Sequence, residues 1–354
     1  MMREHQLRTK AAYESNAAGW SERTQAHQVE AAAQLRAETD GVLLDLGCGP
    51  GWHIPILAPA IGIDLTYEMT RLATAHGPVV NADMMALPLA TQSIGGVWAS
   101  RSLVHLPRTE VPMALAELHR VLAVDAKTCI WVFEGDDEQK TLPDDSLPGR
   151  TFSFWPPDLL ARVFAGAGFE VEEMVRWTTI GSDQIIVKAR RLWTLADTVG
   201  PNMRLMVCGL NPSPGSADSG VGFHRAGNRF WPAALQAGIV TRDRDPQHAL
   251  AAHGIGMTDL VKRATRRADE LTSDEYTTGL ARVRHLVDWL EPDAVCMVGL
   301  SGWRASVDRK SQRGWQAELL GGRPVYVMPS TSGLNAHDTR DSLAAHLDAA
   351  MSGP

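Results

Sequence analysis

Two sets of short segments in this 354-residue chain combine residue types that can do chemistry. In residues 42–51, VLLDLGCGPG, a short apolar strand runs directly into Gly47, Gly49 and Gly51. A second strand, at 60–65, carries Asp64 near its end. Glycines let the backbone turn sharply and approach a ligand, and a carboxylate about 20 residues on accepts two hydrogen bonds from ribose hydroxyls. That combination suits an adenosine-containing cofactor. The spacing is GxGxG, and Trp52 stands where a dinucleotide fingerprint needs its third glycine, which argues against NAD. The other set is GLNPSPGSADSGVGFHRAGNRFW (209–231), GMTDLVKRATRRADEL (256–271) and MPSTSGLNAHD (328–338). Each joins a Gly/Pro-rich turn to an amide, a hydroxyl or an aromatic ring, the inventory of a polar pocket built from loops at strand ends.

Over residues 10–190 the chain resembles the class I S-adenosylmethionine-dependent methyltransferases. The resemblance rests on the LDLGCGPG turn, the acidic residue of GIDLTYEM, NADMMALPLATQSIGGVWASRSLVHLP and GRTFSFWPPDLLARVFAGAGF. It implies S-adenosyl-L-methionine as cofactor, with Asp45, Gly47, Gly49 and Gly51 along the methionine portion, Asp64 on the ribose, and Asp83 with Met84 at the adenine. Arg101 to His105 would line the pocket. Gly95 departs from the pattern, since such proteins often carry an acidic residue there. Methyl transfer is an in-line displacement, so a residue near the reacting methyl must orient the acceptor or take its proton. His105, Glu134 and Arg101 are candidates, and of the three His105 is the expected catalytic residue. The chain has no NPPY-type tetrapeptide and no Pro-Cys pair. Methylation of a base amino group or of cytosine C5 is disfavoured, and a small molecule is the expected methyl acceptor.

Over residues 194–350 the chain resembles the mismatch-specific uracil/thymine-DNA glycosylases of the uracil-DNA glycosylase superfamily. Gly209-Leu210-Asn211-Pro212-Ser213 matches the family's GINPG turn, Phe223 its stacking aromatic, Asn228–Trp231 its NRFW, and Ser330–Asn335 its NPSGLN-type loop. The resemblance implies a three-layer α/β/α fold that flips a uracil or mismatched pyrimidine out of duplex DNA. Cleaving the N-glycosidic bond needs a positioned water and stabilisation of the departing base. Asn211 can orient that water but cannot take a full proton, so a slow enzyme is expected. Ser330 is the second catalytic candidate. Gly209, Phe223, Asn228, Ser332, Gly333, Asn335 and Arg263 are candidates for the base and the DNA, and Leu334 would wedge into the gap left in the stack. Lys262 is placed in a helix-like TDLVKR segment, away from Schiff-base chemistry. Ser330 and Thr331 replace the family's asparagine and proline, and Ser213 its second glycine, which bears on base preference and rate.

Positioning these residues takes two α/β units. Strands at 42–46 and 204–208 each open into a Gly-rich turn, so a Rossmann-like methyltransferase sheet at 1–190 and a three-layer α/β/α glycosylase-like domain at 191–354 are expected. Segments 169–177 and 184–189 read as a hairpin closing the first unit, and RRLWTLADTVGPNM as a connector. Thr109–Leu122 has helical spacing, Pro156-Pro157-Asp158 opens a further helix, and Thr272 with Glu275 makes a capping box for another that Pro292 stops.

Composition bounds the readings. The net charge of −7 argues against a generally basic nucleic-acid binder, yet it averages unlike halves. Residues 1–190 hold 16 basic and 24 acidic side chains, and residues 191–354 hold 18 and 17. Arg263, Arg266 and Arg267, with Arg225 and Arg229, give the second half a positive face for phosphates; Arg229 is expected to be structural. The four cysteines stand alone, without zinc spacing, and read as core residues. No apolar run is long enough to span a membrane and the start lacks a signal peptide's apolar stretch, so a cytoplasmic protein without membrane partners is expected. Two other readings stay open: a regulatory module that only binds the cofactor, and a second domain that binds DNA or nucleotide through an eroded site.

Overall fold

The computed structural model describes residues 3–22, 28–142, 145–179 and 182–354. The chain separates into two compact units, Met1–Ala165 with Phe169–Leu192, and Gly166–Gly168 with Trp193–Pro354.

The first unit runs α1 (Glu4–Ser21), α2 (Val29–Ala37), β1 (Leu43–Leu46), α3 (Ile54–Leu57), β2 (Ala60–Asp64), α4 (Tyr67–Ala73), β3 (Val79–Asn81), β4 (Ile94–Ser100), α5 (Val111–Val121), β5 (Leu122–Glu134), β6 (Phe154–Trp155), α6 (Pro157–Gly166), β7 (Phe169–Thr179) and β8 (Ser182–Arg191). Its sheet has the order β3-β2-β1-β4-β5-β8-β7, with β6 beside β5. β1 pairs parallel with both β2 and β4, while β7 and β8 form the expected antiparallel hairpin. From β1 the chain builds outward through β2 and β3, then returns to β4 on the other side. That reversal leaves a crevice beyond the carboxyl ends of β1 and β4, the place where open α/β sheets bind ligands. Every residue of β1 is buried, as a strand covered on both faces must be. Arg190 and Arg191 belong to β8, so the connector begins two residues later than its sequence suggests.

Gly95 has a steric explanation. A Cβ there would lie 1.8 Å from the Asp40 carbonyl oxygen, and the Gly95 N–H donates to Val42 at 2.8 Å. The preceding loop packs directly on β4, leaving no room for an acidic side chain.

The second unit runs β9 (Leu205–Gly209), α7 (Pro214–Ser219), α8 (Phe230–Gln236), α9 (Pro246–His253), β10 (Ile255–Asp259), α10 (Ser273–Leu290), β11 (Val295–Val298), α11 (Leu300–Ser306), β12 (Gly314–Trp315), β13 (Val325–Met328) and α12 (Arg340–Ser352). The sheet order is β10-β9-β11-β13-β12, parallel except for β12. Alternate strand residues serve opposite cores, as the two-residue period of a strand requires. Leu205, Val207, Cys296 and Tyr326 pack with Phe230, Trp231 and Leu343, whereas Met206, Cys208, Val295 and Val325 pack with Val283, Val287 and Trp303. Helices therefore cover both faces, giving three layers. The capping box of α10 is present, Thr272 Oγ1 accepting from the Glu275 N–H at 3.3 Å and Glu275 from the Thr272 N–H at 2.8 Å.

The TDLVKR segment is not helical. Thr258 and Asp259 end β10, and the ladder continues into the loop: Leu260 and Val261 donate to the Gly209 and Leu210 carbonyls, both at 2.9 Å. Backbone groups engaged across strands cannot close helical turns. Arg263, Arg266 and Arg267 therefore lie on a loop. Among the described residues, no helix is long and apolar enough to cross a membrane.

Candidate active sites

In the first unit, β1 ends in Asp45 and Leu46 and the chain turns through Gly47 at φ +69°. A Cβ on Gly47 would lie 2.3 Å from that of Ser102, which follows β4, so this close approach requires glycine on space as well as on backbone angle. The turn is tied to β2 through Asp64, whose Oδ2 accepts from the Gly49 N–H at 2.9 Å and whose Oδ1 accepts from the Thr66 N–H at 2.8 Å. Burial raises its carboxyl above the usual range despite these bonds. Asp83 accepts from the Met85 N–H and from Gln6 Nε2 of α1, both at 3.0 Å.

Asp45, Gly47, Gly49, Asp64, Asp83, Met84, Arg101 and His105 all line one cavity of about 370 Å³. Gly51 is not in its wall; it packs under the turn, its Cβ position 3.0 Å from Ala73. Glu134 also lies outside and is engaged by Arg176 at 2.6 Å. Asp45 is only 2% exposed and its Oδ2 has no hydrogen-bond partner. Burial, then the nearby Asp64 charge, pushes its carboxyl up to about 8. A buried, unsatisfied acid facing a cavity is a costly arrangement that a bound cation or hydrogen-bond donor would relieve. The Ser102 hydroxyl is likewise buried without a partner. Cys48, also in the wall, is no nucleophile, because burial pushes its thiol up.

The far wall carries residues that sequence alone places in no site. Tyr13 and Trp20 of α1, Trp52, Phe133, Arg150 and Phe152 complete it. His105 Nδ1 lies 2.9 Å from the Thr151 carbonyl oxygen and Nε2 lies 3.0 Å from the Tyr13 hydroxyl. Arg150 donates to the same hydroxyl at 2.7 Å and makes a bidentate pair with Asp145. Its guanidinium sits 5.0, 4.9 and 5.1 Å from the ring centres of Tyr13, Trp20 and Phe152. Burial pushes His105 down to about 4, so the ring is neutral at physiological pH.

In the second unit the loops after β9, β10 and β13 meet at the carboxyl edge of the sheet. Asn211 donates through Nδ2 to the Arg263 carbonyl at 2.9 Å and to Thr265 Oγ1 at 2.8 Å. Its Oδ1 accepts no bond from the described residues. Phe223 holds φ +57° and stacks on Phe230 with ring centres 4.3 Å apart. Gly209 lies beside that ring: a Cβ there would sit 3.4 Å from Phe223 Cζ and 2.2 Å from Asp259 Oδ1. Asp259 was not anticipated, and burial pushes it up to about 6.

The loop after β13 is braced from within. Ser330 Oγ accepts from the Ser332 N–H and Ser332 Oγ from the Leu334 N–H, both at 3.3 Å. Asn335 Nδ2 donates to the Ser330 carbonyl at 2.8 Å and to Asp338 at 2.9 Å. Arg229 donates to the carbonyls of Ser332, Asn335 and Asp338, and Arg313 pairs with Asp338 at 2.8 Å. Leu334, at the tip, is 88% exposed. Asn228 spends its side-chain oxygen on the Phe230 N–H at 2.9 Å. Arg263 and Arg267 pair with Glu275 and Asp269. Lys262 is committed to Asp197 and the Leu195 carbonyl. Ser213 caps α7, accepting from the Ser216 N–H at 3.3 Å.

Comparison with known families matches a methyltransferase domain at residues 44–130 and the uracil DNA glycosylase superfamily at residues 196–351. Among solved structures, a Burkholderia thailandensis 1,6-didemethyltoxoflavin-N1-methyltransferase is 20% identical with a TM-score of 0.44, covering 54% of this chain and 92% of its own. A magnesium protoporphyrin IX methyltransferase from Synechocystis PCC 6803 is 16% identical with a TM-score of 0.43, covering 54% and 98%.

Proposed function

From a chain that carries a methyltransferase domain followed by a uracil DNA glycosylase superfamily domain, we propose two activities: methyl transfer from S-adenosyl-L-methionine to a small molecule, and excision of uracil or mismatched pyrimidine from duplex DNA.

The observation that carries the first is the unsatisfied Asp45 carboxyl in a cavity that also holds Gly47, Gly49, Asp64, Asp83 and Met84. The cofactor's ammonium group supplies the donor that Asp45 lacks. Asp64 keeps lone pairs for the ribose hydroxyls while holding the glycine turn, and Asp83 with Met84 takes the adenine. When bound, S-adenosyl-L-methionine offers an electrophilic methyl group. The chain's own residues orient the acceptor, exclude water and take its proton.

The second activity rests on Asn211, whose amide nitrogen is fixed by Arg263 and Thr265 while its oxygen is left for a water. Phe223, held in place by Phe230, stacks on the flipped base, and backbone groups near Gly209, whose Cβ space is taken by Asp259 and Phe223, read the base edge. Leu334 fills the vacated stack. The missing carboxylate makes Asn211 an orienting group and the reaction slow. Lys262, tied to Asp197, takes no part in a lyase step. Ser330 and Asn335 act by shaping the loop that carries Leu334.

Calorimetric titration with S-adenosylhomocysteine and single-turnover uracil release from a G·U duplex test the two halves separately. Asn211→Ala lowers release by about a hundredfold or more. Wild-type protein that releases no base from any mismatch would sink the glycosylase half.

A further inference from the structure

We infer that the methyl acceptor is a flat, uncharged molecule with an acidic hydroxyl, a phenol or an enol, whose proton leaves through the Tyr13 hydroxyl to Nε2 of His105. The inference rests on the methyltransferase reading above and assigns the far wall of that cavity.

Hydrogen bonding fixes the direction of the relay. A carbonyl oxygen only accepts, so His105 Nδ1, 2.9 Å from the Thr151 carbonyl, carries the ring's proton. Nε2 is then a bare lone pair, and the Tyr13 hydroxyl 3.0 Å away donates to it. Arg150 donates into the Tyr13 oxygen from another side at 2.7 Å, which leaves that oxygen one lone pair for an incoming proton. Transfer from the acceptor to Tyr13, with Tyr13's own proton passing to His105, needs no movement of either side chain.

Shape and charge select the acceptor. Trp20, Trp52, Phe133 and Phe152 join Tyr13 and His105 in the wall, an aromatic surface that favours a planar ligand. The described carboxylates of the cavity are Asp45, Asp64, Asp83 and Asp145. Three lie at the cofactor end, and Asp145 is locked to Arg150 in a pair buried on both sides. Lys10, Arg101 and Arg150 are the cations of the wall. With Asp45 taken by the cofactor's ammonium, a protonated amine would enter beside these cations with no uncommitted carboxylate to meet it, whereas a neutral hydroxyl meets Tyr13.

The step balances. The acceptor's O–H bond and the donor's S–CH3 bond break, an O–CH3 bond forms, and the sulfonium becomes a neutral thioether. The positive charge it loses reappears as the proton on His105, which passes to water. An oxygen that has gained a methyl is a far stronger acid than imidazolium, so an imidazole lowered to about 4 still accepts the proton. The charged and titratable groups facing His105 are Tyr13, Arg150 and Asp145, and with the ring already neutral none imposes a transition near pH 6.5.

The test is calorimetry of the full chain, saturated with S-adenosylhomocysteine, against 2-naphthol and 2-naphthylmethylammonium, followed by methyl transfer to 2-naphthol. The naphthol binds and the ammonium binds at least about tenfold more weakly. Tyr13→Phe and His105→Asn keep KM for 2-naphthol near that of the wild type and lower kcat by about a hundredfold, with no limb near pH 6.5 in the wild-type profile. Tighter binding of the ammonium, or binding of neither probe while S-adenosylhomocysteine binds, overturns the acceptor class and leaves the cofactor reading standing. Failure of S-adenosylhomocysteine to bind overturns both. A variant that loses binding and kcat together, with an altered circular dichroism spectrum, assigns Tyr13 to packing and overturns the relay.

Discussion

Glu14 caps a helix to which it does not belong: its carboxylate accepts from the Tyr67 N–H at 3.0 Å, and from the Glu68 N–H at 2.9 Å. Thr66, the residue at the N-cap position of α4, provides no capping bond from its side chain. The cap therefore docks α1 onto the unit, and α1 is what delivers Gln6 to Asp83 and Tyr13 to His105.

Losing such a cap costs about 1 kcal/mol. Glu14→Ala should weaken binding of S-adenosylhomocysteine by roughly fivefold, as that cost implies, and speed proteolytic cleavage within α1. Unchanged affinity would show that α1 stays docked without the cap.

Asp45 links stability to pH in the unusual direction. Its carboxyl is pushed up to about 8, against 3.8 for the ordinary group, so the folded state holds the proton more tightly than the unfolded chain. The contribution of Asp45 to stability is then fully present below about pH 4 and is lost as pH rises towards about 8. Asp45→Asn removes that dependence. Without cofactor, the variant should melt above the wild type at pH 8 and with it at pH 4, while losing affinity for S-adenosylhomocysteine. Scanning calorimetry across that range measures the first effect; equal melting at pH 8 would show that Asp45 is already satisfied in the wild type.

What was legible in the sequence was local. The glycine turn, Asp64 after the second strand and the Thr272–Glu275 box each declare themselves within a few residues, because sterics and capping act over one turn of chain. The far wall was not legible. Tyr13 and Arg150 lie 137 positions apart, and nothing in either segment points to the other. The TDLVKR segment, residues 258–263, reads as helix-like in sequence for the same reason, but Leu260 and Val261 hydrogen bond across to the turn after β9. Tertiary pairing overrode local preference there.

Gly333 presses on the neighbouring loop. A Cβ at Gly333 would fall 2.8 Å from the Gly227 carbonyl oxygen, and neither partner is a flexible side-chain end. Gly333→Ala must push the Leu334 tip away from the segment that follows Phe223. Uracil release should drop by about tenfold or more, since small misplacements are expensive in catalysis. The melting temperature should change little, because the loop is at the surface. Wild-type release from the variant would mean that the tip adjusts freely.

Leu334 separates a wedge from a packing residue. A leucine that is 88% exposed contributes almost nothing to the core, so Leu334→Ala should leave stability within about 0.5 kcal/mol. Its surroundings are nevertheless held firmly, by Arg229 on three backbone carbonyls and by Arg313 on Asp338. A braced loop presenting a bare apolar tip suits insertion into a base stack, where unstacking costs a few kcal/mol that the wedge helps to recover. The variant should therefore lose about tenfold or more in uracil release from a G·U duplex and little from single-stranded DNA, whose bases need no extrusion. Parallel single-turnover assays on the two substrates measure the difference; an equal loss on both would place Leu334 in the pocket and not in the stack.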